Sequence, residues 1–104
     1  MKNTIASRVQ DFLKNYPPFT KLPKNTLFNI AKNVEILYFE ENEVIFSQND
    51  APHKHFYIVN EGAIRLYRFA EGKKHVVDIC DEGDLFGLRP LIMNENYLMG
   101  AAAN

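Results

Sequence analysis

HFYIVNEGAIRLYRF, residues 55–69, decides the fold. Its halves, HFYIV and AIRLYRF, are rich in β-branched and aromatic residues, and Glu61-Gly62 marks a turn between them. A link that short predicts a hairpin. The same texture extends in both directions, with VEILYFE at 34–40, EVIFSQ at 43–48 and HVVDIC at 75–80. Glu40-Glu41-Asn42, Asn49-Asp50-Ala51-Pro52, Glu71-Gly72 and Glu82-Gly83 supply the intervening turns. Strand-like segments recurring about every ten residues predict a small antiparallel sandwich or barrel. The alternating aromatics Phe39, Phe46, Phe56, Tyr57, Tyr67 and Phe69 read as core or cross-strand pairs.

Before Val34 the period is helical. Ile5, Val9, Phe12 and Leu13 share one face of a first helix, which Tyr16-Pro17-Pro18 ends. Leu27, Ile30, Ala31 and Val34 stripe a second, from about Pro23 to Asn33, with proline suited to its first turn. The expected organisation is a helical segment over 1–33 and a mainly β barrel over 34–104. NYLMGAAAN, residues 96–104, begins like one more strand or helix. A barrel ending there would leave an unpaired edge, so a longer protein with an output domain beyond Asn104 is expected. An open edge is also able to pair with a second copy, which makes a homodimer an expected partner.

Composition excludes several function classes. The 104 residues suit one domain, and a net charge of −1 argues against a dedicated nucleic-acid surface. No apolar run approaches the length of a membrane span, and the N-terminus interleaves charge where a signal peptide would be apolar. Cys80 is the single cysteine and cannot form an internal disulfide, which fits a reducing, cytoplasmic setting. No Ser/His/Asp or paired-carboxylate spacing points to an enzyme.

Three blocks in order carry a family resemblance. Glu43-Val44-Ile45-Phe46 with Asn49-Asp50, then Tyr57-Ile58-Val59-Asn60-Glu61-Gly62-Ala63-Ile64-Arg65-Leu66-Tyr67, then Gly83-Asp84-Leu85-Phe86-Gly87 resemble the cyclic-nucleotide-binding domain. The resemblance implies a jelly-roll β-barrel preceded by helices, a regulatory role without catalysis, and a phosphate-binding cassette over 83–101. It implies a cyclic nucleotide or related small anion as ligand, with no resident cofactor or metal. Ligand-lining positions carried over on the same basis are Leu66, Val77, Phe86, Gly87, Leu88, Arg89, Pro90 and Tyr97.

This cassette departs from the family pattern. Nucleotide-binding members follow the glycine with a glutamate that accepts a bond from the ribose 2′-OH, where this chain has Leu88. They then place an arginine against the cyclic phosphate, at a position that falls at or beside Tyr97. No Lys or Arg lies between Pro90 and Asn104. The expectation is therefore weak, altered or lost cAMP and cGMP binding. Arg89 is the one nearby cation, and it is expected to face solvent or to pair with Glu82 or Asp84. The Gly-Leu-Arg-Pro wording is more similar to bacterial members joined to CBS or nucleotidyltransferase domains than to transcription activators. The effector domain of a catabolite-activator-type regulator stands as an alternative. A cupin-like metal site built on His53 and His55 is the remaining one, though Glu61 is misplaced for it and His53 follows Pro52 in a turn expected to be solvated.

Overall fold

The computed structural model describes residues 4–104. They divide into two units, one ending at Leu37 and the other running from Tyr38 to Asn104.

The first unit holds α1 (Thr4–Leu13), a 3₁₀ turn (Phe19–Lys21) and α2 (Lys24–Ala31). Pro23 stands just outside α2 as its N-cap, and its carbonyl accepts the first helical bond from Leu27 N–H at 2.9 Å. Ala6, Leu13, Phe19, Leu27 and Ala31 are buried. The stripe of α1 is rotated from the expected one: Leu13 is buried, Val9 and Phe12 are half-buried, and Ile5 is 65% exposed. Ala6 and Leu13 lie one heptad apart, so the small residue, not the larger Ile5, takes the inner line.

The second unit is antiparallel β with a jelly-roll topology. Its elements are β1 (Val44–Phe46), β2 (Tyr57–Ile58), β3 (Ile64–Ala70), β4 (Lys73–Cys80), β5 (Leu85–Phe86), α3 (Leu88–Met93) and β6 (Gly100–Ala103). One sheet runs β1-β6-β3-β4 and a separate ladder pairs β2 with β5, so the barrel is not closed among the described residues. The core gathers Phe46, Val59, Cys80, Phe86, Tyr97 and Ala101, with Ile45, Tyr57, Ile64 and Leu66 packed around them.

Two sequence expectations are corrected here. Residues 55–69 do not form a hairpin, because β2 pairs with β5 while β3 pairs with β4 and β6. Gly62, at φ +84°, turns the chain from one sheet into the other, and the bonds from Val59 N–H to Asp84 and from Gly83 N–H to Val59 tie β2 to the cassette side. The hairpin is instead β3–β4, joined through Glu71 and Gly72, both at positive φ as a tight reversing turn requires. Second, residues 34–40 form no strand. A strand exists only where a neighbour completes its ladder, and this segment finds none among the described residues. Ile36, Leu37 and Tyr38 stand 67%, 51% and 86% exposed.

Candidate functional site

The segment from Asp81 to Tyr97 is built around one left-handed glycine. Asp81 to Asp84 close a turn in which Asp84 N–H reaches the Asp81 carbonyl at 2.9 Å and Asp81 N–H reaches the Asp84 carboxylate at 2.8 Å. Leu85 and Phe86 then pair with Ile58 and Tyr57. Gly87, at φ +74° and ψ 12°, ends the strand and caps α3. A side chain there would be strained by the backbone alone. It would also press on Tyr57, whose Cδ2 would lie 3.2 Å from the added Cβ, and on Phe46 at 3.4 Å.

Beneath Gly87 lies an aromatic bed that the sequence did not disclose. Tyr57 stacks on Phe86 at 5.0 Å, and Phe46 stacks on Tyr97 at 3.7 Å with only 9° between the rings. His53 Nδ1 shares a 2.5 Å hydrogen bond with the Tyr57 hydroxyl, and His53 N–H donates to the Tyr97 hydroxyl at 3.0 Å. Contrary to expectation, His53 is therefore half-buried and partnered. The available signal was the 53-55-57 spacing; across a bend at Lys54-His55 the His53 ring centre lies 6.1 Å from that of His55 and 6.0 Å from that of Tyr57. Burial, with Tyr97 adding to it, pushes the Tyr57 phenol above its ordinary value. For a cupin-like reading, His53 and His55 lack a third partner, since no group of three His, Cys, Asp or Glu among the described residues could hold a metal.

The carried-over positions fall into three settings. Phe86 and Tyr97 are core residues, with Tyr97 only 2% exposed. Leu66, Gly87, Leu88 and Pro90 are half-buried, so they line the surface between core and solvent. Val77 is exposed at a bulge, where Leu66 faces Asp78 but Tyr67 faces Val76. Arg89 points outward, its side chain 70% exposed, and its Nε lies 3.8 Å from Glu95. The partner is Glu95 where Glu82 or Asp84 was expected, because the Asp84 carboxylate already holds the Asp81 amide. An ion pair this exposed contributes little to stability.

Cys80 ends β4 inside the core, next to the acidic turn. Burial first, then the carboxylates of Asp78, Asp84 and Asp81, raise its thiol to about 11. At pH 8 its thiolate fraction is on the order of a hundredfold below that of a free cysteine. Alkylation of the native chain at pH 8 should be slower by at least that factor than in denaturant, and should accelerate as pH rises toward 11. Equal rates in the two states would contradict the burial described.

The second unit is thus an antiparallel jelly roll with a glycine-centred turn between a two-stranded ladder and a short helix. The chain belongs to the cyclic nucleotide-binding domain family, whose model matches residues 36–104. Solved structures agree on the fold. The cAMP co-crystal of the regulatory domain of Toxoplasma gondii PKA superposes with a TM-score of 0.88 at 22% identity, covering 96% of this chain and 39% of that one. The sensor domain of the transcriptional regulator DNR from Pseudomonas aeruginosa gives 0.81 at 21% identity, covering 94% and 66%. The regulatory subunit of a cAMP-independent protein kinase A from Trypanosoma brucei, solved as a mutant bound to cAMP, gives 0.82 at 22%, covering 94% and 38%. The chain thus spans about two fifths of the two kinase-regulatory chains and 66% of the DNR sensor domain. Comparison with the curated proteins gives no match. Among the described residues no helix is long and apolar enough to cross a membrane.

Proposed function

We propose that this chain is the sensor part of a larger bacterial signalling protein, with a cassette that has lost its grip on ordinary cyclic nucleotides. The observation that carries the reading is Arg89. It is the last cation before Asn104, and its side chain is 70% exposed with its Nε 3.8 Å from Glu95. Leu88 stands where a ribose-accepting carboxylate belongs, and an alkyl side chain accepts no hydrogen bond. Each charge-assisted bond contributes about 1.5–3 kcal/mol, and losing both weakens a ligand by roughly two to four decades. The Trypanosoma relative, a regulatory subunit of a cAMP-independent kinase, supports the view that this fold can serve without a cAMP response. In the proposed role, a ligand or partner biases two arrangements of the domain and a linked output domain reads the difference.

Calorimetric titration with cAMP and cGMP tests this. The expected dissociation constants lie at roughly 100 μM or weaker, where the loss of two charge-assisted bonds leaves a ligand of originally micromolar affinity. Arg89→Ala should change them little, because the side chain is already committed elsewhere. Binding tighter than tens of micromolar, or a steep loss in Arg89→Ala, would overturn the reading.

A further inference from the structure

The cation missing from the cassette has a counterpart on the opposite sheet. Ile64 and Leu66 of β3 turn toward the buried core, and Cys80, the register partner of Ile64, belongs to that core. Side chains alternate along a strand, so Arg68 continues the same inner face beyond Leu66. Arg68 lies directly opposite His75 in the antiparallel register, which places the imidazole beside it on that face. Directly opposed residues have Cβ atoms about 5 Å apart, close enough for both heads to meet one small anion.

Of the other basic residues of this hairpin, Lys74 and Arg65 are occupied on the outer face, while Lys73, opposite Ala70, continues the inner face beyond His75. Tyr67 points to the outer face, over its register partner Gly100, and the Lys74 ammonium sits 4.1 Å from its ring centre. Arg65 also faces outward, where it donates to the Ala103 carbonyl at 2.9 Å and to Asn42 at 3.0 Å. The nearest acid on the inner face is Asp78, opposite Leu66, and its carboxylate accepts the Ile79 amide at 2.8 Å. Arg68 and His75 are both exposed, and neither side chain has a hydrogen bond or ion pair within the described residues.

We propose that Arg68 and His75 form an anion-recognition point on the inner face of the sheet, taking a phosphate group carried by a nucleotide or present as free phosphate. The proposal rests on the reading above that the cassette no longer supplies the cation. The planar fork of Arg68 supplies two parallel donors to phosphate oxygens, and the imidazole of His75 adds a third. Leu66 and the bulged Val77 border the point and offer apolar surface to whatever bears the phosphate.

NMR titration of the chain at about 0.15 M ionic strength, where long-range attraction is screened, tests it with inorganic phosphate and separately with cAMP. Saturable shifts are expected at the Arg68 Nε–H and the His75 ring. Arg68→Ala and His75→Ala should each weaken the effect about tenfold, the loss expected for one charge-assisted bond. Arg68→Lys should retain part of it, because a point charge replaces the fork. Lys74→Ala, on the outer face of the same hairpin, should leave it unchanged. Saturation by both probes or by phosphate alone assigns the point to a free anion, and saturation by cAMP alone assigns it to a nucleotide. The absence of shifts with either probe, or an equal loss in Lys74→Ala, would sink the proposal. Its failure is separable from failure of the cassette reading, which appears in the calorimeter as cAMP affinity tighter than tens of micromolar whatever Arg68 does.

Discussion

Phe46→Ala is expected to destabilise the β unit by about 3–5 kcal/mol, the range for removing a buried phenyl ring. Phe46 is 4% exposed and meets four other rings: Tyr97 at 3.7 Å, His53 at 5.8 Å, Tyr57 at 6.0 Å and Phe86 at 6.1 Å. Its removal opens a cavity that these neighbours cannot close together. Tyr97 is anchored by the His53 amide, and Tyr57 by the His53 ring and the β2–β5 ladder. A domain of this size is stable by only about 5–15 kcal/mol, so the variant should melt well below the parent. Loss of the bed also frees Gly87 and α3, and amide exchange in residues 85–93 should rise more than in β3. Denaturant unfolding followed by circular dichroism measures the first effect. A loss below about 1 kcal/mol would mean that the stacked rings are not the centre of the core.

Gly100→Ala should cost about 1–3 kcal/mol despite adding only a methyl group, because the site is already full. An added Cβ would lie 2.6 Å from Cε2 and 2.7 Å from the hydroxyl of Tyr67, and nearer still to Cζ. The Tyr67 ring is 4% exposed, carries Lys74 on its face and meets Phe69 edge-on at 5.8 Å, so it has little freedom to retreat. Gly100 has an ordinary backbone conformation, so alanine would otherwise stabilise an extended strand by lowering chain entropy. The sign of the measured change therefore separates crowding from propensity. A double variant, Gly100→Ala with Tyr67→Leu, should lose less than the sum of its parts by more than about 0.5 kcal/mol, since the two side chains compete for one space. Strict additivity would remove the steric explanation.

The unequal legibility of this chain has a physical basis. Positive-φ turns are local events, and Gly62, Gly72 and Gly83 all stand where the sequence marked a turn. The β-branched and aromatic runs at 64–70 and 73–80 likewise became strands, because each finds its first partner across a two-residue turn. Pairing at long range left no comparable mark. VEILYFE has the composition of a strand and no ladder, while Tyr57-Ile58 pairs with residues 85–86 and not with the segment that follows it. His53 looked solvated because proline and polar residues surround it in sequence, yet its partners are Tyr57 and the distant Tyr97.

The sequence by itself determined the family and the mainly β fold. Those follow from residue types at fixed local spacing: glycines at the turns, and β-branched and aromatic runs between them. Tertiary structure alone decided which strands pair, what supports Gly87 and where Arg89 points. It also set Arg68 opposite His75, seven positions away along the chain, in the β3–β4 register. Contacts of that kind depend on register and burial, which arise only when distant segments compete for the same core.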